Sequence, residues 1–349
     1  MRVKWTHTVY FCIQPMPTSP ALKLATRQNG TRDGQLMLLN AHGTHWLDAS
    51  HIAPNLQALL DVWMDKAPLL VALGHQADAD QWANAERFDA QQCMAPLPRA
   101  FQWADASVYR NHARLIYQWR QEPIPPRYED EPLVYQGGSD VMLSGTQDIV
   151  ARDAAHGIDL EAEIAVITTD VPMGISADQA LDHIALVVLL NDVSLRNLIP
   201  AELSRGFGFY QSKPATSFAP IAVTPQALGA DWRHGMLHLK VHTAINGEWF
   251  GSPNAGEETV FHFGQVMAHL ARTRALCAGS IIGAGTISNA SPEAGNACIT
   301  EARVRQMLQG TPEDQLRPYL QNGDRVRIEV LDASGRSVFG AIDQAVKIV

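Results

Sequence analysis

The sequence predicts an α+β fold built on a mainly antiparallel or mixed sheet, in a chain long enough for a small first domain and a larger second one. Three observations predict it. Strand-like runs ("AEIAVIT", "LHLKVHTAING", "GDRVRIEVLD") and helix-like runs ("ADQALDHIALVVLL", "TVFHFGQVMAHLART") follow one another in irregular order, not in the strict strand–helix succession of a doubly wound sheet. The first hundred residues open on a hairpin signal and carry their own apolar helix. The Gly-rich "IIGAGTIS" lacks G-x-G-x-x-G and opens no helix, so it is not a dinucleotide loop.

Taken in order, "MRVKWTHTVYFCIQPMPTSP" carries only a brief apolar patch, "VYFCI", too short for a secretory core. Met16 before "PTSP" reads as a start site, which makes 1–19 a disordered or misassigned leader. "ALKLATRQNGTRDGQLMLLN" has two strand-like runs around Asn-Gly and "RDGQ", a hairpin. "NLQALLDVWMDKAPLLVALGHQADA" has the apolar spacing of a helix or helix pair. The Pro-containing "CMAPLPRAFQWAD" links into the second unit, which gives a small domain over 20–100 and a larger one over 101–349. No repeat or low-complexity tract occurs.

Composition narrows the function classes. The 349 residues are 46% hydrophobic and 18% charged, with a formal net charge of -9 and no Lys/Arg-rich run. Nucleic acid is therefore not an expected partner, because phosphate binding needs a basic patch. No apolar run is long enough to cross a membrane. Cys12, Cys93, Cys277 and Cys298 are scattered and fit no C-x-x-C pattern, which points to reduced thiols in the cytoplasm.

The segment "GIDLEAEIAVIT" poses the chemical question. Leu160, Ala162, Ile164 and Val166 share one face of a strand; Asp159, Glu161 and Glu163 share the other, which continues as Ala165 and Ile167. A solvated face is the ordinary reading of such alternation. Like charges on one face repel, however, and its continuation is apolar, so a cation is the natural partner. Mg²⁺ and Ca²⁺ choose such oxygen ligands. More acids lie in "NDVSLRN", where Asn191, Asp192 and Arg196 follow directly on the helix-like aliphatic run, and in "WADASVYRNHARLIYQ", with Asp105 and His112. No one of these segments is decisive alone: the first also reads as a helix end with an Asn-Asp turn, and a lone His is ordinarily a satisfied surface or core residue.

In combination, Asp105 and His112, Glu161-x-Glu163, "NDVSLR", the Lys of "QSKPATSFAP" and "GAGTIS" resemble the fumarylacetoacetate hydrolase family, in order over about 101–345. The resemblance implies a mixed β-sheet roll or barrel as catalytic domain, preceded by a small barrel-like N-terminal domain as in fumarylacetoacetase-type members of bacterial kind. It also implies metal ligands at Asp105, Glu161, Glu163 and Asp192 for Mg²⁺, Ca²⁺ or Mn²⁺, with Asp159 a bystander. His112 matches the general base and Glu301 its acid partner, across a one-residue insertion. Arg196 and Lys213 match the cationic catalytic and substrate-holding residues; Tyr135 and Thr286 match substrate-contacting positions.

The implied activity is metal-dependent hydrolysis of a carbon–carbon bond in a 1,3-diketo acid of fumarylacetoacetate or acylpyruvate type, by His-activated water, in aromatic amino acid catabolism. Two alternatives stand beside it: a 2-oxo acid hydratase or oxaloacetate decarboxylase using the same metal, and a non-catalytic ion-binding protein of the same fold. Ser107 and Ile199 stand where fumarylacetoacetases place a tyrosine and a glutamine, so the pocket differs while the metal chemistry does not. A homodimer and a small-molecule diketo or 2-oxo acid are the expected partners.

Overall fold

The computed structural model describes residues 21–76, 82 and 85–349; the expected leader at 1–19 lies outside them. The N-terminal hairpin forms as its turn residues require. Lys23–Arg27 pairs antiparallel with Gln35–Leu39, Leu24 opposite Leu38, and Gln35–Leu39 pairs with His45–Asp48. Asn29 Oδ1 accepts from the Thr31 amide at 3.0 Å, an Asx turn, and Gly34 takes φ +62° where a Cβ would lie 2.6 Å from the Arg27 carbonyl oxygen. The apolar stretch after it folds as a helix pair, Leu56–Leu60 and Trp63–Gln76.

These N-terminal strands do not stand apart. Lys23–Arg27 pairs with Ile221–Val223, so one sheet runs from Glu86–Arg87 through the hairpin, then through Ile184–Asn191, Ala162–Thr168, Ser280–Gly283 and Gln102–Ala106 to Val134–Gly137. A second sheet joins Glu248–Gly251, Val241–Ile245, Arg325–Val330, Ile342–Ile348 and Ile149–Ala151. Most pairings are antiparallel, but Ser280–Gly283 with Gln102–Ala106 and Ile342–Ile348 with Ile149–Ala151 are parallel. The architecture is mixed α+β, as the irregular order of elements predicts.

One element is corrected. "ADQALDHIALVVLL" reads as a helix, yet only Ala177–Ala180 and a 3-10 turn at Leu181–His183 are helical; Ile184–Asn191 is a strand. The physical reason is that both of its faces are covered. Val187 and Leu189 join the core between the two sheets, with Ile164, Val166, Val326 and Ile328, while Ala185 and Val188 join the core under the N-terminal helices, with Ala165, Ile167, Leu59 and Leu70. A strand buried on both sides loses its alternation and reads as a continuous aliphatic run. The helices Arg110–Arg120 and Ile299–Leu308 pack against each other. No helix among the described residues is long and apolar enough to cross a membrane.

Candidate active site

Four strands end in one place and deliver the acids. Asp105 is opposite Gly283 on one side and Tyr135 on the other, Gly283 is also opposite Ala165, and Ala162 is opposite Asn191. This register brings Asp105, Glu163 and Asp192 together, with one oxygen of each within 4.8 Å of the others. All three are buried, Glu163 and Asp192 at 0% exposure. The glycines of "GAGTIS" make the room. A Cβ on Gly283 would meet Asp105 Oδ1 at 2.2 Å. Gly285, at φ +84°, donates its N–H to Asp105 Oδ1 at 3.0 Å, and a Cβ there would lie 2.3 Å from the Ala106 carbonyl oxygen.

Three carboxylates in so small a buried volume cannot all be charged without compensation. Burial, then the charges of Asp105, Asp192 and Glu161, push the Glu163 carboxyl well above the usual range. Burial and the Asp192 charge do the same to Asp105. Neither oxygen of Glu163 has a hydrogen-bond donor among the described residues. Asp192, by contrast, accepts from Thr216 Oγ1 at 2.8 Å and from Tyr135 Oη and Lys213 Nζ, both at 2.6 Å. An all-oxygen set with an orphaned buried carboxylate fits a hard divalent cation.

Glu161, expected as the fourth ligand, is placed differently. Its oxygens are taken by the Arg196 guanidinium and by Lys213 Nζ, the latter at 2.8 Å. Burial would raise its carboxyl, but Arg196 and Lys213 outweigh burial and hold it below the usual carboxylate range. Burial alone would lower Lys213; Asp192 and Glu161 raise it instead.

On the other wall, His112 and Glu301 meet across two helices: Nδ1 lies 2.7 Å from Glu301 Oε1. Asn111 anchors the first helix by donating to Ser288 Oγ at 2.8 Å and to the Asn289 carbonyl at 3.0 Å. Cys298 caps the second, its sulfur accepting from the Glu301 N–H at 3.4 Å. Asp159, expected to be a bystander to the metal, lies outside the acid trio and has a structural place of its own. It is fully buried and accepts from Arg196 Nε at 2.8 Å and from the Ile299 and Thr300 amides at 2.7 and 2.9 Å.

A cavity of about 360 Å³ joins these groups, with Asp105, His112, Glu161, Arg196, Lys213 and Thr286 in its wall. Tyr135 also lines it and is packed edge-on by Phe209, ring centroids 5.2 Å apart. Ser107 and Ile199 line the cavity as well, so the two departures from the fumarylacetoacetase pattern fall on its surface. Sequence reasoning missed Thr216, Phe209 and the role of Asp159. For Asp159 the signal was present, since it shares the face of Glu161 and Glu163; for the other two there was none.

Comparison with known proteins places the chain in a family. Residues 102–347 match the model for the fumarylacetoacetate (FAA) hydrolase C-terminal region, and 22–99 match fumarylacetoacetase N-terminal domain 2. Oxaloacetate tautomerase YisK of Bacillus subtilis is 30% identical over 52% of this chain and 56% of its own. Fumarylacetoacetase fahA of Aspergillus fumigatus is 24% identical over 62% of this chain and 61% of its own, so the chain spans less than two thirds of these relatives. A fumarylacetoacetate hydrolase from Exiguobacterium antarcticum shares the fold at TM-score 0.63 and 18% identity, covering 95% of this chain and 100% of that one. The chain belongs to the fumarylacetoacetate hydrolase family.

Proposed function

We propose that this protein is a divalent-cation-dependent hydrolase of 1,3-diketo acids of fumarylacetoacetate or acylpyruvate type. The observation that carries the reading is the His112–Glu301 pair in the wall of the cavity that also holds Asp105, Glu161, Arg196 and Lys213. Asp105, Glu163 and Asp192 would hold Mg²⁺, Ca²⁺ or Mn²⁺, with Glu161 alongside. A bound cation would supply Lewis-acid charge for the paired oxygens of the diketo acid.

The residues supply the rest. With Nδ1 turned to Glu301, His112 presents Nε2 to the cavity and takes a proton from water there. The hydroxide adds to one carbonyl of the 1,3-diketone, the carbon–carbon bond breaks, and the electron pair leaves with the other oxo acid fragment as an enolate. The protonated imidazole returns its proton to that carbon. Lys213 and Arg196 place positive charge in the cavity wall, where a substrate carboxylate binds. A cytoplasmic setting and a homodimer belong to the same reading; light scattering should return about twice 38.2 kDa.

A second reading rests on the relatives named oxaloacetate tautomerases. In it His112 moves a proton between carbon and oxygen and no water attacks. Turnover in ¹⁸O-water separates the two, using fumarylpyruvate, fumarylacetoacetate, acylpyruvates and oxaloacetate with Mg²⁺. Hydrolysis places label in a new carboxylate, and His112→Ala lowers kcat about 10²–10⁴-fold, with a smaller loss for Glu301→Gln. Enol–keto conversion of oxaloacetate without cleavage of any diketo acid would establish the tautomerase instead.

A further inference from the structure

Asp159 is a fully buried carboxylate beside the site that belongs neither to the acid trio nor to the lining of the cavity. Both its oxygens are used. Oδ1 accepts from the Ile299 amide at 2.7 Å; Oδ2 accepts from the Thr300 amide at 2.9 Å and from Arg196 Nε at 2.8 Å. The two amides open the helix Ile299–Leu308, which carries Glu301 in its first turn. The short ladder of Ile158–Asp159 with Ser194–Leu195, and the bond from the Arg196 N–H to the Gly157 carbonyl at 2.9 Å, bring the arginine to the same point. Arg196 passes on to Glu161, Glu161 to Lys213 and Lys213 to Asp192.

We propose that Asp159 is a positioning residue that sets, from one carboxylate, both the Arg196 guanidinium and the first turn of the Glu301 helix. The cationic wall and the acid–base wall of the cavity are thereby held in common register. The inference rests on the functional reading above for the roles of Arg196 and Glu301, not for the geometry. A buried carboxylate is costly unless its lone pairs are met, and here three N–H groups from two elements distant in sequence meet them. Changing it to an amide converts one acceptor oxygen into an NH₂ donor, so at least one of those three donors loses its partner.

The test uses the full chain loaded with Mg²⁺. In Asp159→Asn, calorimetric Mg²⁺ affinity should stay within about threefold of wild type, because Asp105, Glu163 and Asp192 are untouched, while kcat on the active diketo acid falls about tenfold or more. Glu301→Gln should then cost far less in the Asp159→Asn background than in wild type, since the orientation it supports is already lost. Independent of turnover, oxalate should bind the Mg²⁺-loaded variant more weakly, and the Ile299 and Thr300 amides should exchange faster. A wild-type protein inactive on every diketo acid counts against the functional reading, and the oxalate and exchange measurements then decide the positioning role. Folded Asp159→Asn with wild-type kcat, oxalate affinity and amide exchange overturns the proposal. Should that variant not fold, Arg196→Lys combined with Glu301→Gln asks the same question: losses smaller than the product of the single losses support coupling through Asp159, and purely multiplicative losses overturn it.

Discussion

Glu163 is one of the three carboxylates of the proposed cation site. It is fully buried, lacks a donor among the described residues, and is pushed well above its usual 4.5 by burial and by Asp105, Asp192 and Glu161. With a folded value above the unfolded one, its contribution is fully present below 4.5 and is lost as pH rises toward the folded value. In chelator, Glu163→Gln should therefore gain stability over wild type as pH rises above 4.5, read as a growing gap in melting temperature. In Mg²⁺ the order should reverse, and calorimetry should show the variant binding the ion at least about 100-fold more weakly, for want of a charged ligand. Equal Mg²⁺ affinity in the two folded proteins would remove Glu163 from the cation site.

The segment from Ile199–Leu203 to Lys213 shows how one contact can shape an element. Glu202 accepts from the amides of Tyr210, Gln211 and Ser212 at 3.1, 2.7 and 3.1 Å, and from the Ser212 hydroxyl. The loop closes on itself just before Lys213, with Phe209 against Tyr135 and with Phe207 and Tyr210 exposed. Partial burial pushes the Glu202 carboxyl up, but the Ser212 hydroxyl and these amides outweigh it and bring it from 4.5 to about 2. A depressed folded value means the clasp is fully present above 4.5 and is lost as pH falls toward about 2. Hydrogen-exchange protection at residues 210–212 should follow that curve. Glu202→Gln should show the low-pH pattern at pH 7, with a raised KM because Lys213 is less well placed; unchanged protection in the variant would show that the loop holds without the clasp.

The molecule as a whole is organised around a sheet that is continuous from the N-terminal hairpin to the site. Lys23–Arg27 is bonded to Ile221–Val223, and Leu56, Leu59, Leu60, Trp63 and Leu70 cover the face carrying Ala165, Ile167, Ala185 and Val188. That burial supports the strands that present Glu163 and Asp192. Residues 101–349 expressed alone should therefore expose this face: an increase in dye binding, a lower melting temperature and weakened Mg²⁺ affinity are expected, since apolar burial contributes about 25 cal/mol per Å². A segment that melts and binds Mg²⁺ like the full chain would show that the first hundred residues are not needed for the site.

Local pattern was enough for much of this protein. Period-two alternation located the strand that carries Glu163, the Asn-Gly turn located the hairpin, and polar groups placed directly after an aliphatic run pointed to Asp192 and Arg196. These signals are legible because each depends on neighbours within a few residues. Other features depend on what lies across the fold. The covering of both faces of Ile184–Asn191 turned a helix-like run into a strand. His112 and Glu301 became a pair through the packing of two helices remote in sequence. Glu161 and Asp159 illustrate the division most sharply: on one strand face they read as equivalent to Glu163, and only the tertiary structure assigns each its partner. Glu161 meets Arg196 and Lys213, Asp159 meets Arg196 and a helix N-terminus, and Glu163 meets no donor among the described residues. Alternation dictates which way a carboxylate points, whereas the charge it finds there is delivered by distant segments whose approach no local spacing encodes.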